Sequence, residues 1–343
     1  MDRPDLYDMT REELAAWLIE RGQPRFRADQ LFHWAHALLA RGFQEMTNLP
    51  AALREELAAT LRFGPAAPLE AREAEDSTKL LLELSDGQTV ECVRMVTGPD
   101  TASACVSSQV GCAIGCAFCA SGAEGLIRNL SAGEIVLQAV TLRALVGPAR
   151  NLVFMGMGEP LHNVDALLKA LTILLDREGW GLSAQRVTVA TSGGARGIRR
   201  LVAEGPPVEL ALSLNAPTDA LRRELMPGVR DALVDVLAAC DEFSARHGGR
   251  PVTFAYVLLR GVNDQPEHAQ ELAQLLGRRR HHLNLIAYNA VEGLPFERPA
   301  PREMEAFAAR LERARLNVSL RRSRGQSINA ACGQLRAARG PER

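Results

Sequence analysis

Residues 105–122 read CVSSQVGCAIGCAFCASG. An apolar, strand-like run over 104–110 ends in a loop carrying Cys112, Cys116 and Cys119, spaced C-x3-C-x2-C. Gly111 and Gly115 let the backbone turn tightly enough for three sulfurs to converge. Thiols this dense point to a metal or redox role rather than to buried, inert cysteines. The residues alone leave several readings. Zinc with a distant fourth ligand is one. A redox pair of Cys116 and Cys119 is another, but it needs no Cys112. A [4Fe–4S] cluster with one iron left open to a small molecule suits three ligands best, since ordinary zinc and iron–sulfur centres want four.

Working outward, apolar runs alternate with helical stretches from residue 101 onward. The runs at 104–110, 152–157, 187–191, 208–214, 252–258 and 283–287 read as strands. The stretches at 131–146, 164–177, 194–204, 230–247 and 264–277 read as helices, the first with a Ser131-x-x-Glu134 capping box. A helix at 302–315 and a strand near 317–320 follow. Such alternation implies parallel strands with helices outside. Six units are too few for a closed eight-stranded barrel. The expected fold is α/β, a partial (β/α)6 barrel over 101–320 with its site at the C-terminal strand ends.

Residues 1–62 read as a small helical domain. Thr10-x-x-Glu13 is a capping box, and ADQLFHWAHALLARG and LPAALREELAATL are two further helical stretches. Residues 63–100 read as a linker with a loop-like GPAAPLE and a β-hairpin, KLLLELSDGQTVECVRM, turning at Asp86-Gly87. Residues 321–343 carry little regular pattern and read as a tail.

The net charge of −1 gives no overall sign of nucleic-acid binding, so RNA contact needs local patches. Candidates are Arg278–Arg279–Arg280–His281–His282, Arg21/Arg25/Arg27 and Arg321/Arg322/Arg324, although such runs are commonly plain solvated surface. No apolar run is long enough for a transmembrane helix. The polar, acidic start is unlike a signal peptide. A cytoplasmic protein with no membrane partner is expected.

The C-x3-C-x-F-C motif after the first barrel strand resembles the radical S-adenosylmethionine (SAM) superfamily. Gly156-Met157-Gly158-Glu159-Pro160 is similar to that superfamily's strand-end turn that meets the SAM amine. CVSSQVGCAIGCAFCASG, RNLSAGEIV, FMGMGEPLHN and NAACGQL together resemble the RlmN/Cfr family of RNA adenosine methyltransferases. GQPRFRADQLFHW and FQEMTNLP do so at the N-terminus, so the likeness spans nearly the whole chain.

The resemblance implies the following roles. Cys112, Cys116 and Cys119 hold a [4Fe–4S] cluster whose open iron binds SAM. Gly158, Glu159, Ser213, Leu214, Asn215 and Asn289 contact SAM. Cys332 is methylated by a first SAM, and a radical from a second removes hydrogen from that methyl group. The carbon radical adds to adenine and crosslinks protein to RNA. Glu91 is the proton acceptor, and Cys105 attacks Cys332 to form a transient disulfide that frees the RNA. Two SAM are used per turnover. The implied partners are 23S ribosomal RNA, a tRNA and an electron donor such as flavodoxin or ferredoxin; a monomer is expected, although no residue pattern fixes the oligomeric state. Without the resemblance, Cys105 would read as a buried small hydrophobe and Glu91 as a solvated strand position; Cys92 and Cys240 read as structural.

Some positions depart from the family pattern. Asn215 stands where His is common and Ala190 where Ser is frequent. GQSINAACG lacks the acidic residues usual before the cysteine, and VECVRM is unusual around Glu91. The expected reaction is methylation at adenine carbon 2 in the peptidyl-transferase centre, or at the tRNA adenosine beside the anticodon. The same mechanism at carbon 8 is one alternative. A non-catalytic, metal-containing RNA-binding protein is another, although such a module needs none of Glu91, Cys105 and Cys332.

Overall fold

The computed structural model describes residues 3–98, 101–277, 279–321 and 323–336. Arg278 and Arg322 of the basic clusters, and residues 337–343 of the expected tail, lie outside the described residues.

The strands are Pro68–Ala74 (β1), Ser77–Glu83 (β2), Thr89–Gly98 (β3), Thr101–Cys105 (β4), Gln109–Gly111 (β5), Leu126–Asn129 (β6), Asn151–Phe154 (β7), Val187–Thr191 (β8), Glu209–Ser213 (β9), Val252–Leu258 (β10), His281–Ala287 (β11) and Val318–Arg321 (β12). Ten of them form one sheet in the order β1-β2-β3-β4-β7-β8-β9-β10-β11-β12. From β4 through β12 every neighbouring pair is parallel. This is the expected partial barrel, with six strand–helix units in sequence order and β12 added at the end. Along β10, Val252, Phe254, Tyr256 and Leu258 are buried, while Thr253, Ala255 and Val257 are half-buried. One face of the strand is therefore packed away, and the other is less tightly enclosed, as suits an open barrel.

The helices between the strands run Ala132–Leu145, Val164–Leu175, Ala195–Glu204, Leu233–Arg246, Pro266–Leu276 and Pro301–Arg313. Ser131 and Glu134 form the capping box that starts the first of them. A short helix at Asp219–Leu225, capped by Thr218, was not expected. It lies within the stretch between β9 and the helix at 233–246.

Four sequence expectations need correction. The run at 104–110 is not one strand. β4 ends at Cys105, and β5 pairs with β6 in a separate two-stranded ribbon that frames the cysteine loop. The hairpin is not a separate linker, because β3 pairs antiparallel with β4 and carries the barrel sheet onward. The loop-like GPAAPLE runs into β1, an edge strand whose Glu70, Arg72 and Glu73 are exposed, a composition that blunts edge-to-edge pairing. The tail is packed as far as it is described. Ala330, Ala331 and Leu335 are buried. Gly325 N–H donates to Asp76 Oδ1 at 3.1 Å, and Arg324 reaches the Val96 carbonyl. The segment after β12 thus crosses to β2 and β3 at the other side of the sheet.

The N-terminal region packs helices Arg11–Ile19, Phe26–Phe32 and Ala51–Thr60. His33–Ala37 extends the second as a π-turn. Asp8 Oδ1 accepts the Gly133 N–H at 2.6 Å, at the start of the barrel's first helix. A carboxylate is favoured there by the free N–H groups and the helix dipole. Arg11 adds a link to Asp176 at 2.9 Å. Among the described residues no helix is long and apolar enough to cross a membrane. Asp8→Ala should cost about 1 kcal/mol of stability and speed cleavage between residues 62 and 68 in limited proteolysis. Unchanged melting and cleavage would show that the contact carries little of the docking.

Candidate active site

The cysteine loop begins where the chain leaves the sheet. Gly111 has φ +74°, and a Cβ there would lie 1.9 Å from the Gly125 carbonyl oxygen, so only glycine fits. Cys112 N–H donates to that carbonyl at 2.8 Å, and Cys119 N–H to the Cys116 carbonyl at 3.1 Å. The three cysteines are half-buried against an apolar patch that includes Ile114, Phe118, Met226 and Tyr288. Burial pushes the Cys112 thiol up to about 12 and raises Cys116 and Cys119 as well. Cys112 and Cys116 are also raised by the charge of Cys119. Three thiols that oppose one another's ionisation suit a cationic metal group, which reverses that balance and binds them as thiolates. Among the described residues no three His, Cys, Asp or Glu gather tightly enough for a single ion. A [4Fe–4S] cluster does not demand that, since each thiolate binds its own iron.

A polar shelf lies beside the loop. Gly158 has φ +96°, and a Cβ there would come within 2.5 Å of Gln109 Cβ, so the turn after β7 packs directly on β5. Glu159 is buried. Its N–H donates to Gln109 Oε1 at 2.8 Å. Its carboxylate accepts from Leu161 N–H at 3.0 Å, Ser192 N–H at 2.7 Å and Ser192 Oγ at 2.6 Å. Asn215 follows β9 with φ +56°. Its Oδ1 accepts from Val257 N–H at 3.0 Å, which ties β9 to β10. Ser213 and Leu214 precede it, and Leu214 is fully buried. Asn289, after β11, donates through Nδ2 to the Cys332 carbonyl at 3.1 Å and accepts from Gln326 Nε2 at 2.6 Å. Its amide therefore faces the C-terminal segment.

That segment brings the distant residues together. Ala120 N–H donates to the Gly333 carbonyl at 2.8 Å, and Ser121 Oγ to the Leu335 carbonyl at 2.5 Å. Cys332 is exposed. Cys105 is buried at the end of β4, and its thiol is pushed up to about 12, first by burial and then by the nearby charge of Cys332. Glu91 is buried, contrary to the solvated position its alternation suggests. Its Oε1 lies 2.7 Å from Lys79 Nζ, and its Oε2 accepts the Arg336 N–H at 3.0 Å. Register explains the grouping. Leu81 pairs with Glu91, and Val93 pairs with Cys105. With a side-chain period of two, Lys79, Glu91 and Cys105 share one sheet face. Cys92 alternates to the other face, and Cys240 is buried in a helix. All seven cysteines are free thiols.

Four contributors were missed from sequence. Gln109 and Ser192 hold Glu159. Arg222, on the unexpected helix, is fully buried with Nε 3.3 Å from the Leu214 carbonyl. Lys79 was legible in principle, because the Asp86-Gly87 hairpin sets it diagonally across from Glu91. Several residues of the basic patches already have partners within the chain: Arg21 lies over the Trp17 ring, Arg25 pairs with Glu12 and Arg279 with Asp241.

Comparison with known proteins assigns the chain to a family. Residues 4–62 match the ribosomal RNA large subunit methyltransferase N-terminal domain, and residues 106–275 match the radical SAM superfamily. A probable dual-specificity RNA methyltransferase RlmN of Moorella thermoacetica is 45% identical over 98% of both chains. The dual-specificity RNA methyltransferase RlmN of Nitratidesulfovibrio vulgaris is 42% identical over 97% of this chain and 95% of its own. The chain belongs to the RlmN family. A crystal structure of a radical SAM methyltransferase from Sphaerobacter thermophilus superposes with a TM-score of 0.93 at 44% identity, covering 97% of this chain and 99% of that one. Membership of the RlmN family implies a [4Fe–4S] cluster and SAM, and the three-thiol loop fits them. Gly111→Ala should lower bound iron at least as far as loss of one cysteine ligand does. Full iron retention in that variant would contradict the loop geometry.

Proposed function

We propose that the chain is a cytoplasmic radical SAM methyltransferase acting on carbon 2 of an adenosine in the peptidyl-transferase centre of 23S ribosomal RNA. The tRNA adenosine beside the anticodon is its second substrate. The observation that carries this reading is the convergence of Glu91, Cys105 and Cys332 beside the cysteine loop, from three distant parts of the chain. A structural RNA-binding module has no use for that set.

Adenine carbon 2 is a poor nucleophile, so direct displacement on the SAM methyl fails there. When bound on Cys112, Cys116 and Cys119, the cluster with SAM supplies a radical able to remove hydrogen from an unactivated methyl group. Electrons enter from a donor such as flavodoxin or ferredoxin. Gly158 and Glu159, with Ser213, Leu214, Asn215 and Asn289, line the SAM site. Where Ala190 replaces a common Ser, the backbone of β8 serves instead of a hydroxyl.

Cys332 has the access that a methyl carrier needs. Its sulfur attacks the methyl carbon of one SAM and displaces S-adenosylhomocysteine, and the radical comes from a second SAM, so each turnover uses two. The surrounding protein raises the Cys332 thiol above its ordinary value, so Cys332 gives up its proton as it takes the methyl. After the carbon joins the base, the radical adduct returns one electron to the electron-donor couple and Glu91 takes the proton from the base, leaving a closed-shell thioether crosslink. Cys105 sulfur then bonds to Cys332 sulfur, and the Cys332 sulfur–carbon bond breaks with its electron pair on the RNA side. That carbon is protonated to a methyl group.

Mass spectrometry of ribosomal RNA from a deletion strain should show one adenosine without its carbon-2 methyl, restored by this chain. A restored methyl on carbon 8 would contradict the assignment. Cys105→Ala should accumulate RNA covalently bound through Cys332, and normal release of methylated RNA would remove Cys105 from the resolving role.

A further inference from the structure

Lys79 has no role in the reaction as described, yet the residue is only 6% exposed, on the same face as Glu91 and Cys105. A lysine so buried normally has partners. Its Nζ lies 2.7 Å from Glu91 Oε1 and donates to the Asn329 carbonyl at 3.0 Å. Glu91 Oε2 accepts the Arg336 N–H at 3.0 Å. Asn329 and Arg336 are the two shoulders of the loop that presents Cys332. The ion pair thus holds one shoulder through its cation and the other through its anion.

We propose that Lys79 and Glu91 form a clasp that positions the Cys332 loop, with Lys79 as a positioning residue whose hold depends on the charge of Glu91. The clasp deepens the reading of Glu91 as proton acceptor and rests on it for the catalytic part. When Glu91 takes a proton, its carboxylate becomes neutral. The attraction to Lys79 falls, and the acceptor for the Arg336 N–H weakens. Proton removal from the base is thereby coupled to loosening of the loop, at the stage when Cys332 passes from the RNA to Cys105. Among the described residues, the charged group within electrostatic reach of Glu91 besides Lys79 is Arg72, and Glu70 lies within reach of Lys79.

Hydrogen–deuterium exchange on the cluster-loaded enzyme tests the clasp without turnover. In Lys79→Met, amides in peptide 323–336 should exchange about tenfold faster, as expected when a hydrogen bond to a charged group is lost. Glu91→Gln, a neutral stand-in for the protonated carboxyl, should quicken the Arg336 end. Lys79→Arg can reach both acceptors and should restore slow exchange. The double variant Lys79→Met/Glu91→Gln leaves no unpaired buried charge and should exchange as fast as Lys79→Met, with β2 and β3 still protected. Unchanged exchange at 323–336 in Lys79→Met, or no rescue by Lys79→Arg, would overturn the clasp. If the hairpin itself loses protection in Lys79→Met, the double variant decides: fast exchange with an intact hairpin supports the clasp, and slow exchange overturns it. In single-turnover reactions Lys79→Met should form less Cys332-linked RNA, because the loop no longer presents Cys332 to the base, and Lys79→Arg should restore it; full crosslinking by Lys79→Met would overturn the positioning role. Normal RNA release by Glu91→Gln would remove Glu91 as proton acceptor, while exchange and the Lys79→Arg rescue would still judge the loop tether.

Discussion

Ala120 N–H to the Gly333 carbonyl, at 2.8 Å, and Ser121 Oγ to the Leu335 carbonyl, at 2.5 Å, fasten the end of the cysteine loop to the C-terminal segment. Everything at the site depends on that juncture. The loop is set by β5, β6 and Gly111, and the segment is set by Asp76, Lys79, Glu91 and Asn289 on two sides of the open sheet. A closed barrel would leave no opening for such a segment to span. The missing strands of the partial barrel are what let the C-terminal residues reach the interior face.

The electrostatics of the cysteine loop suit a cationic metal group. Burial keeps the cysteine thiols protonated near neutral pH, so iron must displace those protons on binding. The buried charge of Lys79 and Glu91 is tolerated because each ion has the other and a backbone partner. Losing one partner of such a pair costs about 3–5 kcal/mol. That penalty makes the pair a firm anchor, and it also makes the anchor sensitive to any proton that Glu91 accepts.

Much of this was legible in sequence. Strands 187–191 and 252–258 fall where apolar alternation sets them, and Ser131 and Glu134 cap the helix they announce. The cysteine spacing and the GMGEP turn lead to the family. Other features were hidden because their stability is tertiary. PLEAREA has no buried face, so β1 exists through pairing with β2 and not through periodicity. The run at 104–110 splits because Gly111 and the 126–129 strand draw β5 out of the sheet. GQSINAACGQL looks like a tail because its order comes from hydrogen bonds to residues some 250 positions away. Lys79 passed unnoticed because lysines are ordinarily exposed, and only the hairpin register shows it beside Glu91.

The central claim is that the C-terminal segment delivers Cys332 to Cys105. Mild diamide oxidation of the resting, cluster-loaded enzyme, followed by peptide mass spectrometry, tests it most directly. Diamide, taking up two electrons and two protons, should join Cys105 to Cys332 as the dominant disulfide, with Cys92 and Cys240 left as thiols. Cys332 remaining free, or pairing with Cys92 instead, would contradict the account.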